Sequence, residues 1–538
     1  MIINTHKKLI LLVFAAFLLV RCDHFEELNQ NPVTSTDMDP NLMLPTIQLQ
    51  LSGGQFEQLR NGFIYSGEWM QHWTGEYAST EYGGKGVRND AYMGALWTAQ
   101  YPREVKNIVD MVERTTGVPE NVNINAVSRI MKVYIFSRLT DLYGDIPYFD
   151  AGKGYYTRLF TPKFDRQEDI YNHFFEELDG AVKSFDASQK AITEDFYFEG
   201  NIEQWKRFAN SLRLRLAMRL TKVNIEKAEQ QAEAAIALGT MQSNDDMAVM
   251  QHIVTTWRGG TFGGNGVSYT FMNTSTTADE SLFRMCSTFA SYMEDMNDPR
   301  ITMYGRSYLK SENRPDDITD EVFDVVGSYT QMSLLPSTFS WEASSQGAAI
   351  DVEYNGNTVK DLTKLYQCLQ PSNYIARIDA PYIMMSYAEV ELWKAEAAFR
   401  GWDTGASVQE HFSKALEAGV KQMYTYGVPE VDESVVSDFV DANPIVSGQE
   451  LEQINNQLWV NFALNGQEAW ANWRRSGFPA IEYPNRDPGV NQSGGEIPRR
   501  MQYPQEELDY NTANAQEAIA RMPGATDSWM NRVWWDKE

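Results

Sequence analysis

The chain has 538 residues, 43% hydrophobic and 22% charged, a balance that excludes a wholly disordered or collagen-like polymer. Its formal net charge is -27, from 46 basic against 73 acidic residues. That charge leaves no surplus of Lys and Arg to neutralise phosphates, so no nucleic-acid partner is expected.

Lys7 and Lys8 precede an unbroken apolar run from Leu9 to Val20, followed by Arg21 and Cys22. The run is too short to cross a bilayer, and a charged stretch before a short apolar one reads as a secretory signal. A Cys directly behind it stands where bacterial lipoprotein signals are cleaved and acylated. Residues 1–21 are therefore expected to be a lipoprotein signal peptide and Cys22 a lipidated N-terminus, although Arg21 departs from the small residue usual before such a Cys. Any membrane association then comes from acyl chains, of which stable anchoring needs more than one. From Leu28 to Pro45 the sequence is rich in Asn, Asp, Thr and Pro, so residues 22–45 read as the lipidated Cys and an extended tether. Residues 46–538 follow as one body.

Helical periodicity dominates 46–239 and 380–480. Ile170, Phe174, Leu178, Ala181, Val182 and Phe185 recur at spacings of three and four and predict a helix over 167–186. Trp205, Phe208, Ala209, Leu212, Leu216 and Leu220 predict a second, with Lys206, Arg207, Arg213 and Arg219 expected to pair with neighbouring carboxylates, an anion site being the alternative. A third runs from Glu226 to Leu238 and stops at Gly239. Near 383–426, Ala388, Trp393, Ala395, Ala397 and Ala398 lead to Gly401 and then to Phe412, Ala415, Leu416 and Val420. This is the pattern of a tetratricopeptide-like helix pair, which needs stacked neighbours to bury its faces. The fold class expected is mostly α. Residues 240–380 read instead as a loop-rich insertion with short strands, in which Asn355-Gly356 marks a type I′ hairpin; 481–500 is loop-like too. Cys286 and Cys368 either pair in an oxidising compartment or remain two buried thiols.

Motifs for catalysis are missing. Gly259 to Gly266 has glycines but no Lys-Ser or Lys-Thr to reach phosphate, and no helix pattern opens from it. Neither a His-Glu-x-x-His nor a Gly-x-Ser-x-Gly pattern occurs. Asp351, Glu353, Asn355 and Gly356 imitate the start of a Ca²⁺ loop, but Leu362 stands where a bidentate Glu is required, so the hairpin is preferred. No catalytic residue, metal or cofactor is assigned. What remains is aromatic clustering in polar, loop-like sequence: Trp69, Trp73, Tyr77 and Tyr82, then Trp257, Phe262, Tyr269 and Phe271. Exposed rings stack on the apolar faces of sugars or on peptide side chains, whereas buried ones are simply core. Trp73, Tyr77, Tyr82, Trp257, Phe262 and Trp341 are the candidate ligand-binding platforms.

Several stretches together resemble the SusD/RagB family of outer-membrane nutrient-binding lipoproteins. They are Asp23 to Pro32 behind the Cys, Asp141-Leu-Tyr-Gly-Asp-Ile-Pro-Tyr148, Phe208–Leu220, Tyr387–Ala398, Glu468–Pro479, Pro498–Pro504 and Val533–Asp536. The resemblance implies one SusD-like domain: a helix-pair scaffold carrying an irregular ligand-binding portion. It also implies a lipid-anchored location at the outer membrane facing the exterior, and a SusC-like TonB-dependent transporter over which the lipoprotein sits as a hinged lid. The function expected is capture of oligosaccharide without catalysis. Oligopeptide cargo is the alternative, and a surface glycoside hydrolase a more distant one. The motifs belong to the scaffold, so none of them transfers a ligand contact to this chain.

Overall fold

The computed structural model describes residues 38–538 except 55–56, 76–78, 254–263, 272–282, 309–321, 324–349, 355–356, 363–368 and 484–488. Helix α1 (Pro40–Gly53) begins where Asp39 caps it, its carboxylate accepting from the Asn41 amide, with Pro40 in the first turn. Residues 40–45, expected to belong to the extended tether, are therefore helical, because an Asp-Pro pair is a helix start as well as a loop signal. Leu44, Ile47 and Leu51 bury the inner side of α1.

Among the described residues, the scaffold is built mainly by α2 (Lys106–Thr115), α3 (Val122–Tyr143), α4 (Gln167–Ser184), α5 (Ile202–Arg219), α6 (Ile225–Ala237), α7 (Tyr387–Phe399), α8 (Val408–Lys421), α9 (Glu450–Asn461) and α10 (Gly466–Ser476). They pack as pairs, α3 on α4, α5 on α6, α7 on α8 and α9 on α10, and successive pairs touch through α4–α5, α5–α7 and α7–α9. The periodic stretches read from the sequence are these helices. Ser386 and Ser407 open α7 and α8 with reciprocal capping boxes to Glu389 and Glu410. Gly239 and Gly401 take positive φ just past α6 and α7, where a side chain would be strained.

The strands are short and antiparallel: β1 (Trp73–Gly75), β2 (Ala248–Met250), β3 (Phe283–Met285), β4 (Gly305–Tyr308), β5 (Val322–Phe323), β6 (Ile350–Tyr354), β7 (Asn357–Leu362), β8 (Gln370–Pro371) and β9 (Tyr382–Met385). β1 pairs with β3, β2 with β9, β4 with both β5 and β8, and β6 with β7. Tyr354 faces Asn357, so β6 and β7 form the expected hairpin rather than a cation loop. Two expectations change. The segment 382–385 is a strand, because β2 supplies its ladder, and α7 starts only at Tyr387. A short helix, Gly266–Phe271, does open behind the Gly-rich stretch, because the Asn265 side chain accepts from the amides of Val267 and Ser268.

The family-like motifs converge on buried ion pairs. Arg219 of α5 is fully buried and reaches Glu468 of α10 at 2.5 Å and Asp141 of α3 at 3.3 Å. Asp141 also accepts from the Trp535 indole at 2.9 Å and from the Tyr171 hydroxyl. Arg215 joins Glu389 of α7 at 2.5 Å, and Arg475 of α10 grips Glu396 of α7 through both guanidinium ends at 2.6 and 2.7 Å. The other cations of α5 also find carboxylates: Lys206 with Glu203, Arg207 with Asp246 and Arg213 with Asp179. The pairs of Arg215, Arg219 and Arg475 hold helices to one another and are buried, whereas Lys206–Glu203 lies on one exposed helix face. Cys286 is a buried free thiol, its pKa pushed up by burial, and Cys368 lies outside the described residues.

Candidate functional site

Of the six predicted platforms, Tyr77, Trp257, Phe262 and Trp341 lie outside the described residues. Trp73 is corrected: it is 1% exposed, its indole donates to the Ala463 carbonyl at 2.8 Å, and its ring meets Phe271 edge-on at 5.0 Å. Residue 73 sits on β1 with its ring against Phe271 and Phe289, so the ring is core and offers no face to a ligand. Trp69 is buried as well, against Trp470.

Tyr82 remains half-buried at the surface. It lies in a π-helical turn, Ser79–Gly84, ahead of the four-residue helix Asp90–Met93 that Asn89 caps through its side chain. The Tyr82 ring packs edge-to-face on Tyr92, centroids 5.3 Å apart, and the Arg60 guanidinium lies 4.7 Å over Tyr92. Lys85 pairs with Glu81 at 2.6 Å and Arg88 with Asp90 at 3.0 Å on the same loop. An edge-to-face aromatic pair bordered by cations, carboxylates and Asn89 suits a ligand with apolar faces and hydroxyl edges. Tyr92 and Arg60 were not among the predicted residues. Their signal was faint: Tyr92 follows an Asn-Asp helix start within ten residues of Tyr82, and Arg60 sits on a preceding helical segment with no motif.

The loop is held from several directions. Gly83 accepts from the Tyr483 hydroxyl, the Gln492 amide donates to the Gly86 carbonyl at 2.8 Å, and the Asn89 amide donates to the Tyr65 hydroxyl at 2.7 Å. Beneath it, Glu68 is 1% exposed and accepts from the Thr74 hydroxyl at 2.8 Å and the Ser79 hydroxyl at 2.5 Å. Glu68 thereby ties β1 to the start of the platform turn. Burial pushes its pKa up to about 8, with the two hydroxyls opposing the shift.

A folded-state pKa above the unfolded value means that the folded chain holds a proton the unfolded one releases, so this contribution is lost as pH rises from about 4.5 to about 8. Glu68→Gln keeps the acceptor and removes the titration. We expect the variant to match the wild type at pH 5 and to exceed it at pH 9 by roughly 2 kcal/mol or more, read from urea unfolding at both pH values. Equal pH slopes would contradict the assignment.

A second concavity of about 550 Å³ opens beside β4 and β8, lined by Met303, Arg306, Asn373, Tyr374, Pro429 and Val431 among others. Sequence reading did not single it out, because its residues come from three separated segments.

Stacked helix pairs presenting irregular loops define the chain as a helical-repeat binding scaffold. A family model for SusD-like proteins, described as starch-binding and associating with the outer membrane, matches residues 32–504. The chain belongs to this SusD-like family, as the motifs implied. A solved structure of a chitin-binding protein is 37% identical, covers 93% of this chain and 100% of its own, and superposes with a TM-score of 0.78. A Bacteroidetes SusD-like structure is 30% identical over 93% and 100%, at 0.82. A chitin-binding SusD homologue from Flavobacterium johnsoniae shares the fold at 24% identity over 93% and 99%, with 0.70. No curated protein matches the chain.

Proposed function

We propose that this protein is a cell-surface lipoprotein that captures oligosaccharide and passes it to a TonB-dependent outer-membrane transporter, with no covalent chemistry of its own. The observation that carries the reading is the Tyr82–Tyr92 pair with Arg60, a ring platform on a clamped loop of a SusD-like scaffold. Supporting it, a 37% identical structure is described as chitin-binding, so oligomers of N-acetylglucosamine are the first ligands to try. Capture requires only different affinity in open and closed states, not a reaction. Glu68, whose pKa burial raises beneath the platform, is sealed by Thr74 and Ser79, which keeps it from any substrate.

Titration of the purified chain with chitin and starch oligomers, alongside peptide mixtures, tests the proposal; binding of peptides alone would replace the cargo. Tyr82→Ala is expected to weaken glycan binding about 3- to 10-fold, matching ~0.5–1.5 kcal/mol of ring contact, with an unchanged melting temperature. Unaltered affinity would remove the platform from the site. Cys22→Ala is expected to leave the fold intact and shift the protein from the outer-membrane fraction to the soluble one, read by fractionation. Retention would contradict the anchor.

A further inference from the structure

We infer that an aromatic patch around Tyr155 and Phe160, with the exposed Arg158 between them, seats the protein on an anionic lipid surface, an inference that rests on Cys22 being the lipid anchor. Among the described residues, most large rings are buried, yet Tyr155 and Phe160 are each 76% exposed, and Tyr156 and Leu159 beside them are exposed too. They occupy one helical turn, Gly154–Thr157, and the residues after Arg158, which takes a left-handed φ of 60°. Tyr510, 81% exposed, borders them, since the adjacent Asn511 donates to the Pro162 carbonyl at 2.8 Å.

The patch adjoins the place where the described chain begins. Tyr156 donates to Asp110 of α2 at 2.5 Å, and Arg114 of the same helix donates to the Met38 carbonyl at 2.6 Å. Met38, Met43, Arg114, Tyr155 and Tyr156 share one groove of about 530 Å³. Fifteen residues separate Cys22 from Met38, which at full extension reach at most about 55 Å, so acyl chains and patch can meet the same bilayer.

Charge selects the occupant. Between Gly152 and Phe164 the sequence carries Lys153, Arg158 and Lys163 and no carboxylate, within a chain of net charge -27. Glu113 and Asp165 pair with Lys153 at 3.0 Å and Lys163 at 3.3 Å, and Arg158 is exposed. Tyrosines beside a cation are residues that settle at the headgroup level of a membrane, and the exposed Arg158, between Tyr155 and Phe160, is the cation that anionic headgroups answer.

The test uses the mature chain with Cys22→Ala, so that no acyl chain contributes, in flotation with vesicles of mixed phosphatidylglycerol and phosphatidylcholine against phosphatidylcholine alone. The expected result is association with the anionic vesicles that falls about tenfold or more in Tyr155→Ser/Phe160→Ser and is reduced by salt and by Arg158→Glu. These side chains are exposed, so circular dichroism should show an unchanged fold. Absence of binding, or equal binding by the variants, overturns the proposal. So does concentration-dependent self-association that vanishes in the double serine variant without vesicle binding, which would make a second copy the occupant. Acyl labelling of Cys22 in cells is read separately, so loss of the anchor and failure of the patch give different results.

Discussion

Replacing Glu396 with Ala is expected to cost about 3–5 kcal/mol of folding stability, because it strands a buried charge. Arg475 is 1% exposed and Glu396 fully buried; the pair is bidentate, and Glu396 also accepts from Arg400 at 2.7 Å. Arg475 keeps Asn455 and Asn472 as neutral acceptors at 2.7 and 2.8 Å, which leaves its charge without a compensating carboxylate there. Attraction by the two guanidinium groups outweighs burial and holds the Glu396 pKa down to about 2. A depressed folded-state pKa contributes stability above about pH 4.5 that is lost as pH falls toward 2, on the order of 3 kcal/mol. Urea unfolding of Glu396→Ala, and of Glu396→Leu/Arg475→Met, separates two effects. The single change should be severe, whereas the double change should recover much of the loss because both charges leave together. A near-neutral single variant would show that the pair is dispensable.

The helices were legible because apolar residues at helical spacing fix a buried face whatever the neighbours, as in Ile170, Phe174, Leu178 and Ala181 of α4. The family was legible for a related reason. Asp141, Arg219, Glu396, Glu468 and Arg475 stand in sequence stretches that resemble the family, and all are buried partners between helices. A buried ion pair tolerates little change in length or charge, so such stretches keep a recognisable form. The site was less legible, since a ring in polar sequence looks alike in core and on surface. Trp73 and Tyr82 had the same local context, and only contacts with residues about two hundred or more positions away, Phe271, Phe289 and Ala463, bury the first. Arg60 and Tyr92 become neighbours of Tyr82 only through a fold that no short window contains.

Gly83→Ala should damage the site more than removing the Tyr82 ring does. Gly83 does not need a positive φ; its constraint is space. A Cβ there would lie 1.8 Å from the Ile64 carbonyl oxygen and 2.9 Å from its carbon, both backbone atoms of the π-helical segment Gln58–Gly67. That segment cannot retreat freely, because α10 crosses it closely on a glycine contact: a Cβ on Gly466 would meet the Gly62 oxygen at 2.3 Å and the Gly67 nitrogen at 2.7 Å. The platform turn must therefore shift outward, which strains the Tyr483 hydrogen bond to Gly83 and the Ser79 bond to Glu68. Overpacking of this kind costs roughly 1–3 kcal/mol. Tyr82→Ala should lower glycan affinity alone, while Gly83→Ala should lower both affinity and melting temperature, with the affinity loss the larger of the two variants. A Gly83→Ala protein that binds glycan as the wild type does would mean that the ring pair is not where ligand is held.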